Sequence, residues 1–148
     1  MGKLRVGILG AGSIAATMAD TLFRMWDAEC VAIASRDIKK AQEFALAHGI
    51  PAAYGSYEDM MAADDIDLVY VATPHSHHFE HGMLCLQNGK NVLMEKSFTS
   101  NEKEAKELIR YATKHGLFLG EAIWVRYMPM VRTIKKLLES GIIGEPGF

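Results

Sequence analysis

The chain has 148 residues, 49% of them apolar and 23% charged, enough for one domain with a sizeable core. Its 16 basic and 18 acidic side chains give a net charge of −2 with no basic block and no acidic tail, which excludes neither ligand nor substrate but argues against nucleic acid or a membrane surface as partner. No apolar run reaches the ~18 residues needed to span a bilayer. Cys30 and Cys85 have no paired spacing, so a reduced, cytoplasmic protein is expected.

Residues 3–9, rich in Val, Ile and Leu, predict a buried parallel strand; they are too short for a signal peptide and run straight into a glycine turn. Gly10-Ala11-Gly12-Ser13 makes that turn, and a helix follows to about Trp26 with Ile14, Met18, Leu22 and Met25 as its apolar face. A strand from Glu29 to Ala34 ends at Ser35-Arg36-Asp37. Asp37 caps a helix from Ile38 to His48, closed by Gly49 and Pro51. After an extended piece at 52–54, Ser56 caps a short helix with Asp59 at the capping-box position.

The strand Asp67 to Ala72 ends at Thr73-Pro74-His75, and a helix from about Ser76 to Asn88 is stopped by Gly89. A strand from Asn91 to Met94 ends at Glu95-Lys96. Helix Asn101 to His115, strand Leu117 to Glu121 and helix Met128 to Glu139 complete the series, and 141–148 reads as a loop leading onward. Strand and helix alternate through short connections, which predicts an α/β fold with a parallel sheet covered on both faces.

Gly10-x-Gly12-x-x-Ala15 follows a strand, opens a helix and lies in a βαβ unit. In that context it is the fingerprint of a Rossmann-type, doubly wound sheet in three αβα layers. Gly10 permits the tight turn, Gly12 admits a pyrophosphate to the backbone, and Ala15 lets helix and sheet approach. Gly10, Ala11, Gly12, Ser13 and Ile14 are therefore candidate cofactor-binding residues, the diphosphate resting on free N–H groups at the positive end of the helix dipole. An S-adenosylmethionine site is the chemical rival, and a glycine turn that merely packs is the structural one.

The end of the second strand separates these. NAD sites usually carry Asp or Glu there to bind the ribose hydroxyls, whereas this chain has Ser35-Arg36. Arginine offers an always-charged donor fork suited to a phosphate, serine adds a hydroxyl, and Lys40 one turn on could add a second cation. NADP is thus the expected cofactor and NAD the lesser one, unless Arg36 is simply a solvated charge beside the capping Asp37.

Sites in open α/β sheets lie beyond the carboxyl ends of the strands. Thr73, Pro74 and His75, Glu95 and Lys96, then Glu121 with Trp124 and Arg126 gather there. Lys96 is the leading catalytic candidate, since an ammonium beside a substrate can orient a hydroxyl or lower its pKa. Its alternative role is an ion pair with Glu95 or Glu121. His78 is the second catalytic candidate, and His75 or His78 could touch nicotinamide or substrate, or only pack at the helix start. His77 and His81, at i and i+4, share a helix face as two zinc ligands might. No Cys is near and no Glu follows in a metalloprotease spacing, so no metal is assigned.

Together, Gly10-Ala11-Gly12-Ser13-Ile14-Ala15, Ala72-Thr73-Pro74-His75-Ser76-His77-His78 and Glu95-Lys96 resemble the glucose–fructose oxidoreductase, inositol dehydrogenase and rhizopine-catabolism (Gfo/Idh/MocA) family. Ser35-Arg36-Asp37, 53–58 and the tail motif 121–129 resemble its NADP-dependent members that oxidise vicinal diols or sugars. The resemblance covers essentially the whole chain. It implies an NADP-linked dehydrogenase of a sugar or diol, usually without a metal. It gives the pyrophosphate to Gly10, Gly12 and Ser13, the 2′-phosphate to Ser35 and Arg36, the cofactor's flank to Thr73, Pro74 and His75, and the nicotinamide ribose and substrate to Glu95 and Lys96. Trp124 and Arg126 would line the pocket near a domain junction.

Two departures stand out. The residue after the family's lysine is usually proline but here is Ser97, which questions the rigidity of that turn. Family members are also about twice as long, their second half an α/β domain with an open, mostly antiparallel sheet that carries the substrate pocket, a tyrosine or histidine acid/base and the dimer face. Residues 1–122 are thus expected to be the NAD(P)-binding Rossmann domain and 123–148 the start of a junction to a C-terminal domain outside this chain, with a homodimer at full length. The alternative function is a standalone dinucleotide-binding or sensing module without turnover.

Overall fold

Along the central strands, successive side chains enter two different cores. Val6 and Ile8 of strand β1 (Leu4–Leu9) pack with Ile33 and Tyr70 on one face, while Leu9 joins Ala32, Ala34, Val69 and Val71 on the other. A strand buried on both sides must be apolar throughout, which is why the sequence shows short apolar runs rather than strict alternation. The computed structural model describes residues 2–142 and residue 144.

The remaining strands are β2 (Ala28–Ala34), β3 (Ala52–Tyr54), β4 (Leu68–Val71), β5 (Asn91–Met94) and β6 (Leu119–Glu121). All pair in parallel, in the order β3-β2-β1-β4-β5-β6. Helices α1 (Ser13–Arg24) and α2 (Ile38–His48) cover one face, contributing Ala15, Ala19, Leu22 and Ala45 to its core. Helices α3 (Tyr57–Met61), α4 (His78–Gln87) and α5 (Glu102–His115) cover the other with Met60, Leu86 and Leu108 among their buried residues. The chain order reverses between β1 and β4, and the connections leaving those two strands part there to opposite faces. That opens a crevice at their carboxyl ends.

The two expected caps form: Asp37 accepts from the Lys39 and Lys40 N–H groups at 2.9 and 3.5 Å, and Ser56 from Asp59 N–H at 3.1 Å. Asn101 is a further cap, accepting from Glu104 N–H at 3.0 Å. Three expectations shift. The stripe of α1 that meets the sheet is Ala15, Ala19 and Leu22, whereas Ile14 and Met25 are 40% and 41% exposed. Small residues occupy the positions where the helix start meets the sheet, and Ile14 is left partly in solvent. Helix α1 also ends at Arg24 rather than Trp26. The helix expected from Ser76 begins as a 3-10 turn over His75–His77 and becomes α-helical at His78, because Pro74 holds an extended ψ of 144° immediately before it.

Past β6, a 3-10 turn (Trp124–Tyr127) leads to helix α6 (Pro129–Glu139), which has no buried residue. Of the loop expected over 141–148, positions 143 and 145–148 lie outside the described residues. Among the described residues, no helix is long and apolar enough to cross a membrane.

Candidate functional site

The first strand end supplies a cradle. Gly10 adopts φ +102°, and a Cβ there would sit 3.0 Å from the Ala72 carbonyl oxygen and 3.1 Å from Thr73 Cγ2. Any other residue would be strained in itself and would push on the end of β4. Nothing lies within 4 Å of a Cβ built on Gly12, the residue that opens α1. That helix start has no side-chain cap and no acidic residue in its first turn. Its N–H groups therefore face open space with a positive dipole end behind them, the donor set a diphosphate requires. Ala15, fully buried beneath, lets the helix sit close.

At the end of β2, Ser35 is buried and its Oγ accepts from the Asp37 N–H at 3.3 Å, which leaves the hydroxyl hydrogen to donate elsewhere. Arg36 is exposed, and its guanidinium stands beside the Tyr57 phenol. Burial raises the Tyr57 pKa and the arginine partly opposes that rise. Arg36, Ser56, Tyr57, His77, Glu80 and His81 line a cleft of about 750 Å³. Lys40 lies exposed on the first turn of α2.

The ends of β4, β5 and β6 are tied into one network. Tyr70 donates to Glu95 Oε1 at 2.5 Å, and Glu95 Oε2 accepts from the Lys96 N–H at 3.1 Å. Burial, then the carboxylate partner, push the Tyr70 phenol far above its usual range, so it stays a donor. His75 Nε2 donates to the Lys96 carbonyl at 2.8 Å. Glu121 Oε1 accepts from the Phe98 N–H at 2.9 Å. Thr73 Oγ1 and His81 Nδ1 are 2.8 Å apart.

His78, a catalytic candidate from the sequence, is 0% exposed, with Nδ1 2.7 Å from the Ser97 carbonyl and Nε2 2.9 Å from the Thr73 carbonyl. Both ring nitrogens face backbone carbonyl oxygens and a neutral ring donates to one of them, so the fully buried side chain packs two strand-end loops together and is closed off from a substrate. The Lys96–Ser97 peptide is cis. With Ser97 where a proline was expected, the turn is held by the contacts from His75, His78 and Glu121.

Lys96 is exposed, and among the described residues no ion pair within 4 Å involves it. The alternative of a pair with Glu95 or Glu121 is not what the structure has: those carboxylates bind backbone N–H groups instead. Trp124 and Arg126 lie on the exposed turn after β6, with no hydrogen bond or ion pair to the other strand ends among the described residues. Sequence reasoning missed Tyr70 and Glu80. A tyrosine amid an apolar strand was a signal for the first, since a buried phenol needs a partner. Burial pushes the thiols of Cys30 and Cys85 up to about 11 and about 12, so neither is a nucleophile here.

Six parallel strands in this order, with a glycine cradle at the reversal point and polar residues at the same strand ends, define a dinucleotide-binding Rossmann domain. Residues 4–122 match the GFO_IDH_MocA model, described as an oxidoreductase family with an NAD-binding Rossmann fold, and the chain belongs to that family. It is 43% identical over 144 residues to the trans-1,2-dihydrobenzene-1,2-diol dehydrogenase of Xenopus tropicalis and 41% identical over 145 residues to that of Bos taurus. Each match covers 96% of this chain, and 44% and 43% of the relative, so the chain spans less than half the length of these proteins. Among solved structures it is similar to KijD10, a 3-ketoreductase from Actinomadura kijaniata in complex with TDP-benzene and NADP. There the TM-score is 0.92 at 33% identity, over 97% of this chain and 46% of the other.

Proposed function

We propose that this chain is the NADP-binding part of an oxidoreductase that transfers a hydride between a sugar or vicinal diol and the nicotinamide. The reading includes a cytoplasmic setting and a homodimer at full length. It takes residues 1–122 as the cofactor domain and 123–148 as the start of a junction to a second domain. The observation that carries it is the meeting, at one sheet edge, of the Gly10–Gly12 cradle, Ser35-Arg36 and the Glu95-Lys96 turn. The relatives' names, diol dehydrogenases, and the NADP bound to KijD10 support the same reading.

In this reading the N–H groups of Gly12, Ser13 and Ile14 hold the diphosphate, with Ala11 shaping the turn. The Ser35 hydroxyl and Arg36 fork bind the 2′-phosphate, with Lys40 as the further cation. Thr73, Pro74 and His75 flank the cofactor. Trp124 and Arg126 border the pocket from the junction. When bound, the nicotinamide supplies the hydride acceptor or donor. Lys96 Nζ, without a carboxylate partner within 4 Å among the described residues, would hydrogen-bond the substrate oxygen and stabilise the charge growing on it while the hydroxyl proton passes to water and the hydride to the bound nicotinamide. Tyr70 and Glu95 fix the backbone from which that lysine projects.

Arg36→Ala tests the assignment. It should weaken NADP binding about 10- to 100-fold, the worth of a charge-assisted contact, and leave NAD nearly unchanged in a fluorescence titration. Equal losses for both nucleotides would defeat it.

A further inference from the structure

The α4 wall of the cleft carries a cluster that the cofactor reading does not use. His77, Glu80 and His81 stand at i, i+3 and i+4 across the start of α4, so one helix face presents all three. Their ligand atoms lie within 4.8 Å of one another. His77 Nδ1 is 3.6 Å from a Glu80 carboxylate oxygen, and the two imidazoles stack with centroids 5.4 Å apart. We propose that His77, Glu80 and His81 form a binding site for a divalent transition metal, with zinc as the reference ion.

Zinc–ligand bonds of 2.0–2.2 Å place tetrahedral ligands about 3.4 Å apart. Closing the cluster from 4.8 Å therefore needs side-chain shifts of about an ångström. His77 and Glu80 can make them, with side chains 41% and 76% exposed. His81 is the fixed member, buried and set edge-on against Tyr57 at 4.7 Å between centroids. Its Nδ1 already has Thr73 Oγ1 at 2.8 Å, which leaves Nε2 as the ligating nitrogen. Such an outer hydrogen bond is what orients a metal-bound imidazole and selects its tautomer.

Two imidazoles and a carboxylate suit Zn, Co or Ni over Mg or Ca. Three protein ligands leave a position open to water or a ligand from the cleft. Arg36 shares that cleft, but so do Glu58 and Glu80, so the wall is not positive on balance. The third ligand, missing from a reading of the two histidines alone, lies between them in sequence. The site does not depend on the NADP assignment.

Isothermal titration of the chelator-treated intact protein with zinc chloride tests this, alongside the visible spectrum after cobalt(II) addition. One equivalent should bind, with the absorption of a low-symmetry nitrogen–oxygen site. His77→Ala and Glu80→Gln should each weaken binding about tenfold or more. Glu80 is exposed and His77 only half-buried, so circular dichroism should be unchanged, which His81→Ala does not guarantee. His115→Ala, whose ring stacks on Tyr111 far along α5, should bind as wild type. Absence of stoichiometric binding would overturn the proposal. So would binding that survives His77→Ala, for example at the His48–Asp20 pair.

Discussion

The two edges of the sheet are built differently. Five buried polar or charged side chains are found among the described residues: Ser35, Thr73, His78, His81 and Glu95. Ser35, Thr73 and Glu95 directly follow the carboxyl ends of β2, β4 and β5, and His78 and His81 reach back from α4 to Thr73 there. At the amino edge, polar groups stay in water. Arg5 pairs with Asp67 at 2.6 Å and Lys3 with Glu29 at 3.7 Å, each side chain at least a third exposed. Burying a polar group is costly unless it is fully bonded, whereas an exposed pair costs little and gives little. The amino edge shows that this sheet can be tied together without interior polar groups. The network at the carboxyl edge therefore fixes positions, those of the loops that carry Lys96, Thr73 and the glycine cradle.

The sharpest way to sharpen that contrast is Lys96→Met in the intact enzyme. Turnover should fall about 10²- to 10⁴-fold, the range for loss of an acid–base group, with NADP affinity changed far less. A variant that keeps wild-type kcat would remove Lys96 from the chemistry. His78→Ala should act next, through stability. It empties a fully buried site and leaves a carbonyl oxygen without its donor, a loss of about 3 kcal/mol in urea unfolding. Tyr70→Phe is smaller, about 1–3 kcal/mol, because it strips one bond from the buried Glu95. Both should also weaken NADP binding, since each frees a loop that borders the cofactor. If either destabilised the fold without touching cofactor affinity, the network would be structural only.

Much of this edge was legible in advance, because its signals are local. Gly10-x-Gly12-x-x-Ala15 behind a strand and before a helix admits one geometry, and the Asp37 and Ser56 caps follow from spacing alone. The role of His78 was not legible. Its partners, the carbonyls of Thr73 and Ser97, come from different strand ends, and only the parallel pairing of β4 with β5 brings them together. The same holds for Tyr70 and Glu95, 25 residues apart. The face of α1 was misread for a different reason. Hydrophobic size marks the apolar stripe of a helix only where the neighbour leaves room, and at a Rossmann turn close approach favours Ala15 and Ala19 over Ile14.

The amino edge provides the smallest effect and the control. Asp67 accepts from the Arg5 guanidinium at 2.6 and 3.0 Å and from the Arg5 N–H at 2.9 Å, which holds its carboxyl at about 2. A carboxylate depressed in the folded state stabilises above its unfolded pKa of about 4 and loses that contribution as pH falls through the folded value. Asp67→Asn should thus lower stability by about 1 kcal/mol at neutral pH, held to that by solvent screening of an exposed pair. The gap from wild type should narrow below about pH 4 and close near pH 2, as acid-titration melts would record. NADP affinity should not move. If it fell as far as in Tyr70→Phe, strain would be passing along β1 and β4 from one edge to the other, and the two edges could no longer be treated as separate devices.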